Sequence, residues 1–318
     1  MSLSTGHTLT LQQKKTKMRN LILVLLTLHT TFIFAQDFEL IGFKYTNFPK
    51  SNVLNVEQQQ EVAFAEFQAF IAIPKKLKNG KTTLVNRLAY NLVNTAVYNA
   101  PAFGEGKFDK NLHGISYAIT AVHKWDDKWA TIVQFQPTLA SDFQSKLTID
   151  DFVIQSVFLI NRKMSDHFTL GAGAVYTTQS GEPFLWPAIQ LAFNKDRHQL
   201  SALLPMKFKY LYWMGANKKM GAGLNAGFSG GLFDITLKSF GAAPPESINK
   251  IIYSRFNVAP QIVYHLTPKI LLELSAGYTL RRKYQFRSID DVLYNYTSEN
   301  GPFFNVGLVY VPKKPSEE

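Results

Sequence analysis

The sequence contains no cysteine. That excludes disulfides, thiolate metal sites, a cysteine nucleophile and a lipid attached to an N-terminal cysteine. Long apolar runs are also scarce. Leu21 to Phe34 is one, and it falls short of the roughly 20 apolar residues that a membrane-spanning helix needs. A mean hydropathy of -0.08 rules out a polytopic helical membrane protein. Acids are outnumbered, with 23 Asp and Glu against 34 Lys and Arg, a formal net charge of +11. A basic face would suit nucleic acid. Here the charges are spread over strand faces and turns, so nucleic acid is not implied as a partner.

What the chain does have is alternation. From Ile252 the even positions read Ile252, Phe256, Val258, Pro260, Ile262, Tyr264 and Leu266. The odd ones read Tyr253, Arg255, Asn257, Ala259, Gln261, Val263 and His265. After Thr267-Pro268-Lys269 the pattern repeats. Ile270, Leu272, Leu274, Ala276, Tyr278 and Leu280 fall on one face, and Leu271, Glu273, Ser275, Gly277, Thr279 and Arg281 on the other. Successive side chains point to opposite faces of a strand, so each strand has an apolar and a polar face. Both runs are longer than an ordinary soluble strand of about five or six residues. They reach the roughly 9–11 residues that cross a bilayer. The fold implied is all-β, an antiparallel up-and-down transmembrane β-barrel. Aromatic content of 14% suits girdles at two membrane interfaces.

Taken in order, residues 1–35 read as an export signal. Lys14 to Arg19 is the basic region, Leu21 to Phe34 the apolar one, and Ala35 the small residue before cleavage. Met18 is an alternative start. Residues 36–312 form the barrel and 313–318 a polar tail. Strands are expected near 37–46, 61–73, 82–95, 113–124, 129–138, 151–162, 167–178, 184–194, 198–204, 206–215, 220–240, 251–266, 269–284 and 303–311. Connections alternate between short and long. The long ones are 47–60, 96–112, 139–150, 179–183, 241–250 and 285–302. That is the pattern of bacterial barrels, with short periplasmic turns and longer outer loops. Proline lacks the N–H that a central strand donates, so Pro205 marks a turn. With it the count is 14 strands, with 12 as the alternative. Both chain ends then face the periplasm.

Local features agree. Alternation changes phase at Gly230-Gly231, as at a bulge or bend. Trp125, Trp129, Trp186 and Trp213 all sit near strand ends, where a membrane interface would lie. Asn305-Val306-Gly307-Leu308-Val309-Tyr310 resembles the terminal strand signal read by the outer-membrane assembly machinery. The chain departs from that signal by continuing into Pro312. Ser141-Asp142-Phe143, Thr148-Ile149-Asp150-Asp151, Gly171-Ala172-Gly173, Leu204-Pro205 and the strand led by Gly301-Pro302 extend the likeness. On these residues the chain resembles a family of Gram-negative outer-membrane β-barrels defined as a domain of unknown function. The resemblance implies location and fold, and no activity.

Chemistry is thin by comparison. His113 with Ser116 is the nearest pair to a nucleophile and base. Neither a His-x-x-x-His pair nor a Gly-x-Ser-x-Gly elbow occurs. Asp126-Asp127 and Asp150-Asp151 supply too few oxygens for calcium without help. Gly-x-Gly at 171 and at 221 has no helix after it to hold phosphate. No catalytic residue, cofactor or metal site is assigned. The inward face is the better target. Alternation places Glu66, Arg87, Gln134, Gln155, Asp234, Lys238, Arg255, Gln261, Glu273 and Arg281 on the lumen wall, with bases in excess. These residues line a passage for small polar or anionic solutes. The alternative is a non-enzymatic surface-binding or structural barrel with a closed polar lumen. Its partners would be outer-membrane lipid and lipopolysaccharide, with the barrel assembly machinery during biogenesis.

Overall fold

The computed structural model describes residues 39–54, 56, 59–99, 107–178, 183–236, 248–287 and 292–312. The expected export signal, Lys238 and the tail from residue 313 lie outside these residues. The wall begins with β1 (Ile41–Leu54), β2 (Glu61–Lys76), β3 (Thr82–Tyr98), β4 (Lys107–Lys124) and β5 (Trp129–Ser141). It continues with β6 (Phe152–Ser165), β7 (Phe168–Thr177), β8 (Phe184–Lys195), β9 (His198–Leu204) and β10 (Lys207–Met214). It ends with β11 (Met220–Asp234), β12 (Lys250–Thr267), β13 (Ile270–Arg287), β14 (Val292–Ser298) and β15 (Gly301–Tyr310).

From β1 to β14 each strand pairs antiparallel with the next, and β15 closes the ring on β1, with Ile41 opposite Tyr310. Both β14 and β15 lie along β13, with Arg282 opposite Ser298 and Thr279 opposite Gly301. They are one strand interrupted at Glu299-Asn300, so the barrel has fourteen wall positions. The turn at Pro205 is present, with Leu203 opposite Lys207. Short turns gather at one end, as at Asp166-His167, Asp196-Arg197 and Pro268-Lys269. The first and last described strands meet at that same end.

The faces are inverted relative to a soluble protein. Arg255 is 1% exposed and Glu273 4%, while Ile262 and Leu274 are each 43% exposed. Phe43, Ile71, Leu88, Tyr117, Phe135, Phe158 and Tyr278 extend this apolar outer surface around the wall. An apolar exterior around a closed strand ring is the solution a bilayer imposes, because every backbone group must pair within the protein.

Several expectations need correction. The strands run further than alternation suggests. β1 extends to Leu54 and β13 to Arg287, and Val292–Ser298 is strand, so most of 47–60 and 285–302 is wall and not loop. Trp213 is no girdle residue. It lines the lumen, donates to Gln199 Oε1 at 2.9 Å and packs with Leu211, Val263, Leu271 and Val311. Arg281 leaves the inward face. Its backbone is left-handed, with φ 52°, where the register of β12 with β13 shifts. The extra residue turns Arg281 outward to solvent exposure, and Arg282 takes the buried position beside it.

Candidate functional site

The lumen begins with polar side chains that alternation delivers to the inner wall. Gln134, Gln136 and Gln155 form a ladder across β5 and β6, with Nε2–Oε1 distances of 3.3 and 3.2 Å. Gln68 donates to Asn91 at 2.9 Å between β2 and β3. Five bases, Lys44, Arg87, Lys207, Lys209 and Arg255, face three acids, Glu39, Glu66 and Glu273. Glu273 is shared by Lys44 at 3.0 Å and Lys209 at 2.7 Å, and Lys44 also reaches Glu39 at 3.2 Å. The Arg87 guanidinium lies over the Phe70 ring at 4.1 Å. Arg87 and Lys207 make no ion pair among the described residues, so they carry the positive excess. A cavity of about 750 Å³ sits among these groups.

Toward the end with the longer connections the lumen is crossed. At Gly230-Gly231 β11 leaves the wall and reaches β5, six strands away around the ring. There Asp234 pairs with Ser141 in parallel. Asp142 holds the crossing. Its N–H donates to Asp234 O at 3.0 Å, and its Oδ2 accepts from Thr236 N at 2.9 Å and from Lys110 Nζ at 2.7 Å. Lys110 Nζ also donates to Thr236 O at 2.5 Å. This ion pair is buried, with side-chain exposures of 10% and 0%.

A second tie spans from β12 to β2. Arg255 pairs with Glu66, donates to Ser229 Oγ at 3.0 Å and lies over the Phe48 ring at 3.5 Å. Tyr253 adds a donor to Glu66 at 2.9 Å. Above this tie, Leu232, Phe233, Ile235, Ile251 and Ile252 of the β11–β12 hairpin pack against Phe64, Val93, Val97, Leu112 and Phe286 of the wall. Burial of such a side chain is worth roughly 1.5–3 kcal/mol. Five of them outweigh either ion pair, so the packed core keeps the hairpin inside and the ties set its register. The hairpin's tip, residues 237–247, lies outside the described residues.

The sequence-assigned residues divide as follows. Glu66, Arg87, Gln134, Gln155, Gln261 and Glu273 line the lumen cavities, and Arg255 is buried beside them. Asp234 stands at the crossing, and Arg281 is outside the lumen. Lys44, Lys110 and Asp142 were not assigned. Asp142 carried a signal as part of Ser141-Asp142-Phe143, but no short-range pattern says that it binds a strand 94 residues away. The paired acids serve turns. Asp126 accepts from the N–H groups of Lys128 and Trp129, both at 2.7 Å, which hold its carboxyl below the usual range. Asp151 caps a 3-10 turn through Thr148 N at 2.6 Å. His113 bonds the Tyr90 hydroxyl at 2.8 Å.

A closed antiparallel barrel with an apolar exterior and a polar, crossed lumen defines a transmembrane β-barrel protein. Residues 31–311 match the domain of unknown function DUF6268, and the chain belongs to that family. No curated protein matches the chain in sequence. Among solved structures it is similar to an outer membrane channel from Pseudomonas putida F1. That match has 11% identity, 87% of this chain and 96% of that one covered, and a TM-score of 0.40. The transport unit of the autotransporter AIDA-I from Escherichia coli matches at 10% identity, 89% and 94% coverage, and 0.39. The outer membrane phospholipase OMPLA from Salmonella typhi, solved with bound calcium, matches at 8%, 91% and 95%, and 0.35. These three have different functions, and none is carried over to this chain.

Proposed function

We propose that the protein is an outer-membrane barrel that passes small polar or anionic solutes without catalysis, and that the β11–β12 hairpin gates it. The crossing of the lumen by β11 carries this reading. A structural barrel can fill its interior from the wall, whereas this one fills it with a hairpin that a packed core holds inside and two discrete ties set in register. The outer-membrane location is supported by the apolar exterior, by the short turns at one end and longer connections at the other, and by the terminal strand Asn305 to Tyr310. Outer-membrane lipid and lipopolysaccharide would surround the wall, and the assembly machinery would insert it.

Planar-bilayer conductance tests the gate. Native protein should open rarely. Replacing Asp142 by Ala strips one partner from a buried ion pair, which costs about 3–5 kcal/mol. Open-state occupancy should therefore rise about a hundredfold or more. Reversal potentials across a salt gradient should show a weak anion preference, because basic linings favour anions. That preference should fade at high salt, where charge is screened within about 3 Å at 1 M. It should also fall when Arg87 and Lys207 are both replaced by Gln. Silence from native and Asp142→Ala protein alike, with heat-modifiable mobility intact, would favour the closed structural or surface-binding barrel.

A further inference from the structure

The wall is incomplete between β8 and β11. β9 and β10 have 7 and 8 residues, fewer than the roughly 9–11 that cross the hydrocarbon. β9 covers β8 only from Ile189 to Lys195, and β10 covers β11 only from Met220 to Gly227. Above the turn at Pro205-Met206, no described strand pairs with that edge of Phe184 to Ala188. Across the gap β11 has already turned inward. Every other wall strand is at least 10 residues long once β14 and β15 are joined. The shortfall is therefore local, on the side of the longer connections, and in a bilayer it would open among the acyl chains. Unpaired strand edges do not face lipid unless they border a cavity.

Such a cavity is present. About 760 Å³ of space runs from this gap into the lumen, within the usual range of small-molecule sites. Its mouth is apolar and aromatic, formed by Phe184, Trp186, Met206 and Phe228. Phe184 and Trp186 stand on the inward face of β8, yet they are 45% and 39% exposed because no wall covers them. The far end of the cavity is amide-rich, with Gln136 and Gln155.

We infer that this gap is a lateral opening between lumen and bilayer, and that the cavity takes an amphipathic molecule. The apolar chain or ring would lie at the aromatic mouth and an uncharged hydroxyl or amide head among the glutamines. The inference rests on the barrel standing in a membrane, as proposed above, but not on conduction along its axis. It adds to the axial reading a second class of ligand that arrives from the lipid.

The test places the native barrel and a Trp186→Phe variant in phosphatidylcholine vesicles whose acyl chains carry bromine near the glycerol end. Bromine quenches tryptophan on contact, and the difference between the two proteins isolates Trp186. An inward-facing tryptophan behind an intact wall would be shielded. Quenching of the Trp186 signal is expected, and an unquenched signal would overturn the opening. In plain vesicles, 11-bromoundecanamide should then quench Trp186 saturably. The half-saturating concentration should rise severalfold in a Gln136→Leu/Gln155→Leu variant that keeps heat-modifiable mobility. Quenching without saturation, or with the same midpoint in the variant, would overturn the ligand class. Silence from native and Asp142→Ala protein alike in planar bilayers, together with quenching at Trp186, would sink the axial passage and leave the opening standing.

Discussion

Gly230 and Gly231 stand where the chain leaves the wall, and they are not equivalent. A Cβ on Gly230 would lie 2.3 Å from the backbone oxygen of Tyr253, which cannot move without disturbing the β11–β12 pairing. A Cβ on Gly231 would lie 2.5 Å from the Phe233 ring, a side chain that can shift. Gly230→Ala should therefore raise channel opening well above Gly231→Ala in single-channel records. Equal effects would mean that the bend does not depend on close backbone approach. Asp126 makes a simpler prediction. Backbone donors lower its carboxyl, so its contribution to the β4–β5 turn is complete above the ordinary Asp value of about 3.9. That contribution is lost as pH falls through the lowered folded value. A carboxyl-carbon titration by NMR should give a midpoint below the ordinary value, and one at or above it would refute the turn's role.

Among elements, the β11–β12 hairpin shows both what the sequence reveals and what it conceals. Up to Ser229 and from Ser254 onward its arms alternate, because one face meets lipid and the other the lumen. Between them Leu232, Phe233, Ile235, Ile251 and Ile252 are apolar without alternation. That is the pattern of strands buried on both faces, and the phase change at Gly230-Gly231 is where it starts. The phase change was legible, but its direction was not, because pairing with Ser141 is a long-range event. The bulge at Arg281 was hidden for another reason. Arg281, Arg282 and Lys283 are all basic, so polarity cannot say which one faces in. The shortness of β9 and β10 was legible once Pro205 was read as a turn. If the core and not the ties holds the hairpin, Phe233→Ala should destabilise its docking by about 3–5 kcal/mol. Limited proteolysis should then cut the hairpin faster in that variant than in native protein. Unchanged cutting would move the weight to the ties.

For the molecule as a whole, the inverted faces and the ring closure of β15 on β1 define a membrane barrel, and the crossing is what the proposed gate rests on. The absence of native cysteine makes the crossing directly testable. Asp234 and Ser141 are Cα partners in the register of β11 with β5, so cysteines at both positions can be joined when oxidised and released when reduced. Conductance of that one double variant, before and after reduction in the same bilayer, asks whether the hairpin is the gate. The account predicts no openings while the bridge holds and, after reduction, a return to the rare openings of the native protein. Openings that persist with the bridge intact, at the same rate in both states, would contradict it.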